Sequence, residues 1–487
     1  MITRRAFAGS LLAPLVAHAA ARRLNVLLIT VDDLRPQLGC YGDPQVKSPH
    51  IDALASSGLV FERAYTQQAL CAPSRTALLT GLRPDTTRVY DIVTHFRSTV
   101  PDAVTLPQLF KNHGYHSQGF YKVFHLAGFD PGLGNLDDPP SWSEPLYLPQ
   151  RSVYGPEGEA VLKRAYARFA AEGKKPSYAA IPRSFAFEAP DVPDEALSDG
   201  EVAVRAVQAL ERRRGQPFFL ACGFYKPHLP FVAPKRYWDL YREDDLVLPN
   251  NQYPPDGAPP WAMVGDTELR TYEGIPKQGP YPEKLKRQVL HGYLASISYA
   301  DAQVGKVLAA LRRLGLEKDT LVVLLGDHGY QVGEHGSWAT KQTNFETSVR
   351  APLIVRAPGM KAAGQKSKAL VEFVDIYPAI AELCGLRGPS SLEGRSFRPL
   401  LDNPALPWKA AAYSQYPRGQ RMGRSVTDGR FRYTEWVNRQ STVEGVELYD
   451  HDTDPHENVN QAASASMAAA RVRMKRLLDD GNWRSFQ

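Results

Sequence analysis

The chain has 487 residues, 43% of them hydrophobic and 23% charged, with four cysteines and a formal charge of +6. That length supports one large domain with a smaller companion, and the composition excludes a disordered chain. No internal apolar run is long enough to cross a bilayer, and Lys and Arg form no block beyond Arg212-Arg213-Arg214, read as the solvated end of a helix. Stable membrane insertion and a nucleic-acid partner are therefore not expected. Cys40, Cys71, Cys222 and Cys384 are too few for a disulfide framework, which leaves room for a reactive or modified thiol.

Residues 1–21 read as an export signal, with Arg4-Arg5-Ala6-Phe7, an apolar run over 11–17 and the small-x-small triplet Ala17-His18-Ala19. The arginine pair with Phe7 resembles a twin-arginine leader, so the expected destination is periplasmic or extracellular. Its removal takes away Arg4 and Arg5 and no acid, leaving a charge of +4.

The segment 24–31 is an apolar, β-prone run that ends in Asp32-Asp33, a buried strand delivering two carboxylates to its end. Ser48-Pro49 opens a short helix closed by Gly58, and 59–65 reads as a second strand. Thr105 and Pro107 start another helix, followed by a strand over 117–124. A helix over 198–214, a strand over 217–223, a long helix over 283–314 and a very apolar strand over 321–325 continue the alternation. The last strand runs into Gly326-Asp327-His328-Gly329. The expected fold class is α/β, a large mixed and mostly parallel sheet flanked by helices, in which ligands sit outside the carboxyl ends of the strands. Asp32, Asp33, Asp327 and His328 fall there.

Residues 131–193 and 248–282 are rich in Pro, Gly and Tyr without sustained period, and are expected to form cleft walls. Beyond 400 the signals shorten. Asp428-Gly429 is turn chemistry between β-prone runs over 423–436, 447–450 reads as another strand, and a helix is expected over 462–479. The expected division is a catalytic domain over 22–400 and a small antiparallel α+β subdomain over 401–487.

The most specific string is Cys71-Ala72-Pro73-Ser74-Arg75-Thr76-Ala77-Leu78-Leu79-Thr80-Gly81. Pro73 suits the first turn of a helix, so position 71 stands at a helix N-terminus, where backbone dipoles favour an anion. Arg75 lies one turn on, able to neutralise an anion or hold a modified side chain. The plain alternative is a buried structural cysteine before a helix.

In its fixed positions this string resembles the signature of the type I sulfatases of the alkaline phosphatase superfamily, most of all the iduronate-2-sulfatase group. The resemblance implies an alkaline phosphatase-like fold and a Cys71 oxidised to formylglycine by a maturation enzyme. One hydroxyl of the hydrated aldehyde attacks sulfur and the other later expels sulfate. It also implies a calcium site of Asp32, Asp33, Asp327, His328 and the modified Cys71, hard oxygen ligands suiting Ca²⁺ and, less well, Mg²⁺. Many sulfatases carry Asn where this chain has His328. Lys122-Val123-Phe124-His125 matches the group's string, in which the Lys contacts sulfate and nucleophile and the His helps collapse the sulfated diol. Tyr225-Lys226-Pro227-His228 nominates His228 as general acid or sulfate ligand. Gly336-Ser337-Trp338-Ala339-Thr340-Lys341 resembles the segment of a second sulfate-binding lysine, Lys341, although Thr340 is interposed where the iduronate-type segment runs from Ala directly to Lys. His335 is expected to shape the cleft.

The resemblance spans most of 24–400, with a looser echo at Leu448-Tyr449-Asp450 and from Asp454 to Asn458. The expected substrate is a sulfated saccharide, specifically a sulfated uronic acid in a glycan. Two other functions fit the same residues: a phosphate or phosphonate ester hydrolase on this scaffold, and a non-catalytic binder of sulfated glycans if Cys71 is not matured.

Overall fold

The computed structural model describes residues 23–126, 135–175, 180–265, 267–481 and 483. The leader read at 1–21 lies outside them, and no helix among the described residues is long and apolar enough to cross a membrane. In chain order the principal elements are β1 (Asn25–Val31), α1 (Pro49–Ala55), β2 (Leu59–Tyr65), α2 (Cys71–Thr80), α3 (Leu106–Asn112), β3 (His116–Tyr121), α4 (Pro156–Ala171), α5 (Ser198–Arg212), β4 (Phe218–Phe224), α6 (Glu283–Arg313), β5 (Thr320–Gly326), β6 (Arg350–Arg356), β7 (Gln365–Ser367), β8 (Val371–Glu372) and α7 (Ile376–Leu383). A second group comes after these: β9 (Ala412–Arg418), β10 (Arg421–Thr427), β11 (Phe431–Asn438), β12 (Val443–Asp450) and α8 (Ala468–Asp479).

The large sheet has the order β7-β2-β6-β5-β1-β4-β3, with β8 also pairing β2. It is parallel except for β6, which runs antiparallel to both β2 and β5. Strands β1, β4 and β5 are buried at every position, as a sheet covered on both faces requires. Alternation along β1 sends Leu27, Ile29 and Val31 into the core shared with α5 and α6, and Val26 and Leu28 into the core shared with α2, α3 and α7. Val31 pairs with both Gly326 and Phe224, so the three central strands end level and deliver the residues beyond their ends to one edge. This is the mixed, mostly parallel sheet flanked by helices that the sequence leads one to expect. The second sheet, β9-β10-β11-β12, is wholly antiparallel and is covered by α8.

Local chemistry sets the helix starts. At α3 the Thr105 hydroxyl accepts from the Gln108 amide at 3.2 Å while Gln108 accepts from the Thr105 amide at 3.3 Å, a capping box with Pro107 in the first turn. At α1 the cap comes from another helix: Asp301 of α6 accepts the His50 and Ile51 amides at 3.2 and 2.7 Å.

Four differences from the sequence reading have physical reasons. The 131–193 stretch contains α4, whose only buried residues are Gly158 and Leu162, so its apolar period is faint. Strand β3 stops at Tyr121 rather than 124 because Tyr121 sits at φ +56°, in the left-handed region that breaks a strand. Helix α8 starts at Ala468 rather than 462, since Ala465–Met467 is a separate 3₁₀ turn. Strands β6 and β9 are additions that the sequence reading does not contain: β6 is held between β2 and β5, and β9 by a hairpin with β10.

Candidate active site

Cys71 is the first residue of α2, after Leu70 at the cap, which supplies no side-chain hydrogen bond. Ser74 ties this helix start to the end of β5: its hydroxyl donates to the Asp327 carbonyl and accepts from the Thr66 hydroxyl at 2.8 Å. The Cys71 Sγ is buried 3.4 Å from His328 Nε2. Burial and then the neighbouring Asp32 push its thiol well above the usual range, so the unmodified side chain is a poor source of thiolate.

Asp32 and Asp33 leave the end of β1, where Asp33 at φ +60° turns the chain. The Asp33 amide donates to Asp327 Oδ1 at 3.0 Å, joining the ends of β1 and β5. Arg75 is the tie between them. Its Nη2 donates to Asp32 Oδ1 at 2.8 Å, its Nε to Asp327 Oδ2 at 3.0 Å, and its Nη1 to Thr30 Oγ1 at 3.2 Å and to the Lys122 and Val123 carbonyls. Lys122 Nζ pairs with Asp32 Oδ2 and lies 4.4 Å from the Tyr225 ring centre. Lys341 Nζ binds both oxygens of Asp33, at 2.8 and 2.9 Å. It gets there although Thr340 is interposed, with Ala339 and Gln342 on either side both in left-handed backbone at φ +49° and +70°.

The electrostatics of the three carboxylates are uneven. Burial opposes ionisation of Asp32, but Lys122 and Arg75 outweigh it and hold that carboxyl well below its usual range. At Asp33, burial outweighs Lys341 and is reinforced by Asp32 and Asp327, pushing the carboxyl well up. Asp327 is raised to about 7, by burial and then by Asp32. Ligand atoms of Asp32, Asp33 and Asp327 lie within 4.8 Å of one another, as do those of Asp33, Cys71 and His328 and those of Asp32, Cys71 and His228. His328 faces a carbonyl, that of Gly329, with Nδ1 at 2.8 Å, which assigns the proton there and leaves Nε2 turned to Asp33 at 3.5 Å and Asp327 at 3.6 Å. A fully buried set of three mutually repelling carboxylates and one imidazole nitrogen fits a divalent cation.

His228 comes after β4, with Nε2 3.8 Å from Asp33 Oδ2 and Nδ1 2.7 Å from the Leu229 carbonyl. Burial, then Lys341 and Lys122, lower its pKa to about 3, so it rests neutral. His125 is buried beside the same cluster and is held well below its usual range by burial and then Lys122. His335 is buried with its ring 4.3 Å from Phe345. All ten residues expected at the site thus meet at one sheet edge. A cavity of about 480 Å³ lined in part by Arg35, Leu248, Leu290 and Glu346 includes none of them.

The walls hold residues that the sequence did not single out. Arg183 from one irregular stretch donates to Glu268 of the other at 3.2 Å and to the Tyr272 hydroxyl at 3.0 Å. Burial opposes Glu268's charge, but His228, Lys341 and Arg183 hold its carboxyl down at about 2. Asp199 of α5 accepts the Tyr225 and Lys226 amides at 2.9 and 2.8 Å and so fixes the loop of His228. From the second sheet, Tyr416 reaches the electrostatic neighbourhood of Lys341 and Cys71. Arg183 and Glu268 sit in aperiodic chain and Tyr416 is distant in sequence, so no local signal marks them.

Residues 24–386 match the sulfatase family model, and residues 333–482 match a second model described as the C-terminal region of N-sulphoglucosamine sulphohydrolase. The chain belongs to the sulfatase family. The sulfatase is 36% identical to iduronate 2-sulfatase of Homo sapiens, over 91% of this chain and 92% of that one. It is 30% identical to a sulfatase of Formosa agariphila, over 94% and 87% of the two chains. The phosphonate monoester hydrolase of Agrobacterium radiobacter superposes with a TM-score of 0.77 at 24% identity, covering 94% of this chain and 95% of that one, a likeness of fold. The sulfatase is accordingly a sulfuric ester hydrolase.

Proposed function

We propose that this sulfatase removes sulfate from uronic acid residues of glycosaminoglycan-like glycans, with Cys71 matured to formylglycine as its nucleophile. One observation carries the reading: the first residue of α2 lies among Lys122, Lys341, His228 and three crowded carboxylates in one cluster. A divalent cation held by Asp32, Asp33, Asp327 and His328, Ca²⁺ ahead of Mg²⁺ given the oxygen-rich donors, supplies charge to mask and polarise the sulfate oxygens. The hydrate of formylglycine supplies a hydroxyl where the buried thiol offers little thiolate.

The chain's own groups do the rest. Lys122 and Lys341 orient the sulfate, and Arg75 keeps Asp32 and Asp327 in place. His228 rests neutral because it is buried and two lysines face it; an arriving sulfate offsets the lysines, and the imidazole then takes up a proton from solvent at Nε2 and passes it to the departing sugar oxygen. His125, kept neutral by burial and Lys122, accepts the proton whose loss accompanies sulfate release. The identity to a protein called iduronate 2-sulfatase supports the uronic acid. Arg4-Arg5 and Ala17-His18-Ala19 support export by a twin-arginine-type route after maturation by a formylglycine-generating enzyme.

The test is sulfate release by the purified protein from defined 2-O-, 4-O- and 6-O-sulfated disaccharides, with a matched pair of aryl sulfate and aryl phosphate alongside. Turnover of a 2-O-sulfated uronide is expected. Hydrolysis of phosphate with no sulfate released from any substrate contradicts it.

A further inference from the structure

We propose that Arg418 recognises a carboxylate on the same sugar that carries the sulfate, and is thereby the residue that selects uronic acids. The inference rests on the sulfated-uronide reading above and names the group that would read the acid.

Arg418 ends β9, the edge strand of the second sheet, and that strand is docked on the chain leading into Cys71. The Gln415 amide donates to the Gln67 carbonyl at 2.8 Å, and the Ser414 hydroxyl donates to the Thr66 carbonyl at 2.7 Å. Two residues apart in the strand, Tyr416 and Arg418 project to the same side. Tyr416 is buried, with Lys341 and Cys71 among the charges its phenol senses. The Arg418 guanidinium lies 4.5 Å from the centre of the Tyr416 ring, one step further out, and is half-buried.

Its partners set it apart. Nε donates to the Met263 carbonyl at 3.3 Å, Nη2 to the carbonyl of Gln342, the residue after Lys341, and Nη1 lies 3.5 Å from the Pro417 carbonyl. Arg75, Lys122, Lys341 and Arg183 each hold a carboxylate. Among the described residues, Arg418 has no carboxylate within ion-pair distance. A partly desolvated cation without a countercharge is costly to keep, and burial loosens its proton relative to an ordinary arginine. An anion arriving from outside removes that cost. The sulfate already has Lys122 and Lys341, so the anion left for Arg418 is a second one on the same ring, and the planar guanidinium matches a carboxylate with two parallel hydrogen bonds.

The test compares kcat/KM for a 2-O-sulfated uronide disaccharide with that for its carboxyl-reduced counterpart, in wild type, Arg418→Gln and Arg418→Lys, with thermal melts of all three. Wild type should prefer the uronide by on the order of 10- to 100-fold, mainly through KM. Arg418→Gln should bring that ratio close to one, and Arg418→Lys should restore part of it. Equal losses on both substrates, or a wild type indifferent to carboxyl reduction, overturn the role of Arg418 alone. If Arg418→Gln does not fold, the Lys variant and the wild-type ratio still decide. Wild type that cleaves an aryl sulfate but neither disaccharide overturns this proposal together with the substrate reading beneath it.

Discussion

The joint between the two sheets and the edge that carries Cys71 are both built on ion pairs, yet two of the three carboxylates at the edge behave in the opposite way from those at the joint. At the joint, Arg432 of β11 is 1% exposed, binds Glu457 at 2.9 Å and pairs with Glu346 of the large domain. His451 adds a second partner to Glu457 at 2.9 Å. Burial opposes ionisation there too, but Arg432 with His451 outweighs it at Glu346, which is held at about 2, and His451 with Arg432 does so at Glu457, which is also lowered. At the Cys71 edge, Arg75, Lys122 and Lys341 face Asp32, Asp33 and Asp327, and still Asp33 and Asp327 are pushed up. The joint is a closed set of pairs. The edge crowds three carboxylates on one another in a buried place, and two of them resist ionising, an arrangement that stabilises nothing by itself and makes room for a cation.

Removing that cation is the strongest way to break the contrast. Chelation of the purified protein should cut turnover by on the order of 100- to 1,000-fold and lower Tm, with both restored by Ca²⁺. A Tm indifferent to chelator would mean that the crowded carboxylates need no counterion. Asp33→Asn should lose activity on the same scale and no longer respond to added Ca²⁺, as read by initial rates against metal concentration.

Cutting one arginine from each cluster comes next. Arg432→Met takes the shared cation from buried Glu457 and half-buried Glu346 and should cost about 3–5 kcal/mol in urea unfolding, while the folded fraction keeps its kcat. Arg75→Met should lose stability and turnover together, because Asp32, Asp327 and the Lys122 loop all hang on that side chain. Loss of kcat in a well-folded Arg432→Met protein would show that the joint also shapes the site.

The smallest effect sits beside the joint. Glu447 accepts from Trp436 Nε1 and from the Tyr449 hydroxyl, each at 2.7 Å, but burial outweighs both and raises its pKa to about 7. Folded and raised above its unfolded value, this carboxyl contributes stability that is full below about pH 4.5 and is lost as pH rises to about 7. Glu447→Gln removes the titration. The unfolding free energy of wild type minus that of the variant should therefore fall by about 2–3 kcal/mol between those pH values, and a flat difference would contradict the shift.

The parts of the site that lie along strand ends were legible because one local pattern marks them: an apolar run closing on a charged residue, as at Val31-Asp32 and Gly326-Asp327. Pro73 in its helix start and the Thr105–Gln108 cap were legible for the same reason, since capping is written within four residues. Arg183 and Glu268 were not, because the bridge that joins their stretches, between the Glu273 amide and the Ser184 carbonyl at 3.0 Å, is a tertiary event without local period. Strand β6 shows the same limit, its direction being set by neighbours β2 and β5 rather than by its own residues. Lys122 and His125 are marked by their string although the strand before them ends at Tyr121 and not at 124, and the left-handed Tyr121 is what turns both toward the site.

The central claim is that chemistry runs through residue 71, and one measurement meets it directly: sulfate release from a 2-O-sulfated uronide by Cys71→Ala beside wild type, both purified from a host that matures formylglycine. The account predicts no detectable turnover in the variant, with an unchanged melting temperature. Sulfate released at the wild-type rate by a folded Cys71→Ala protein would contradict it.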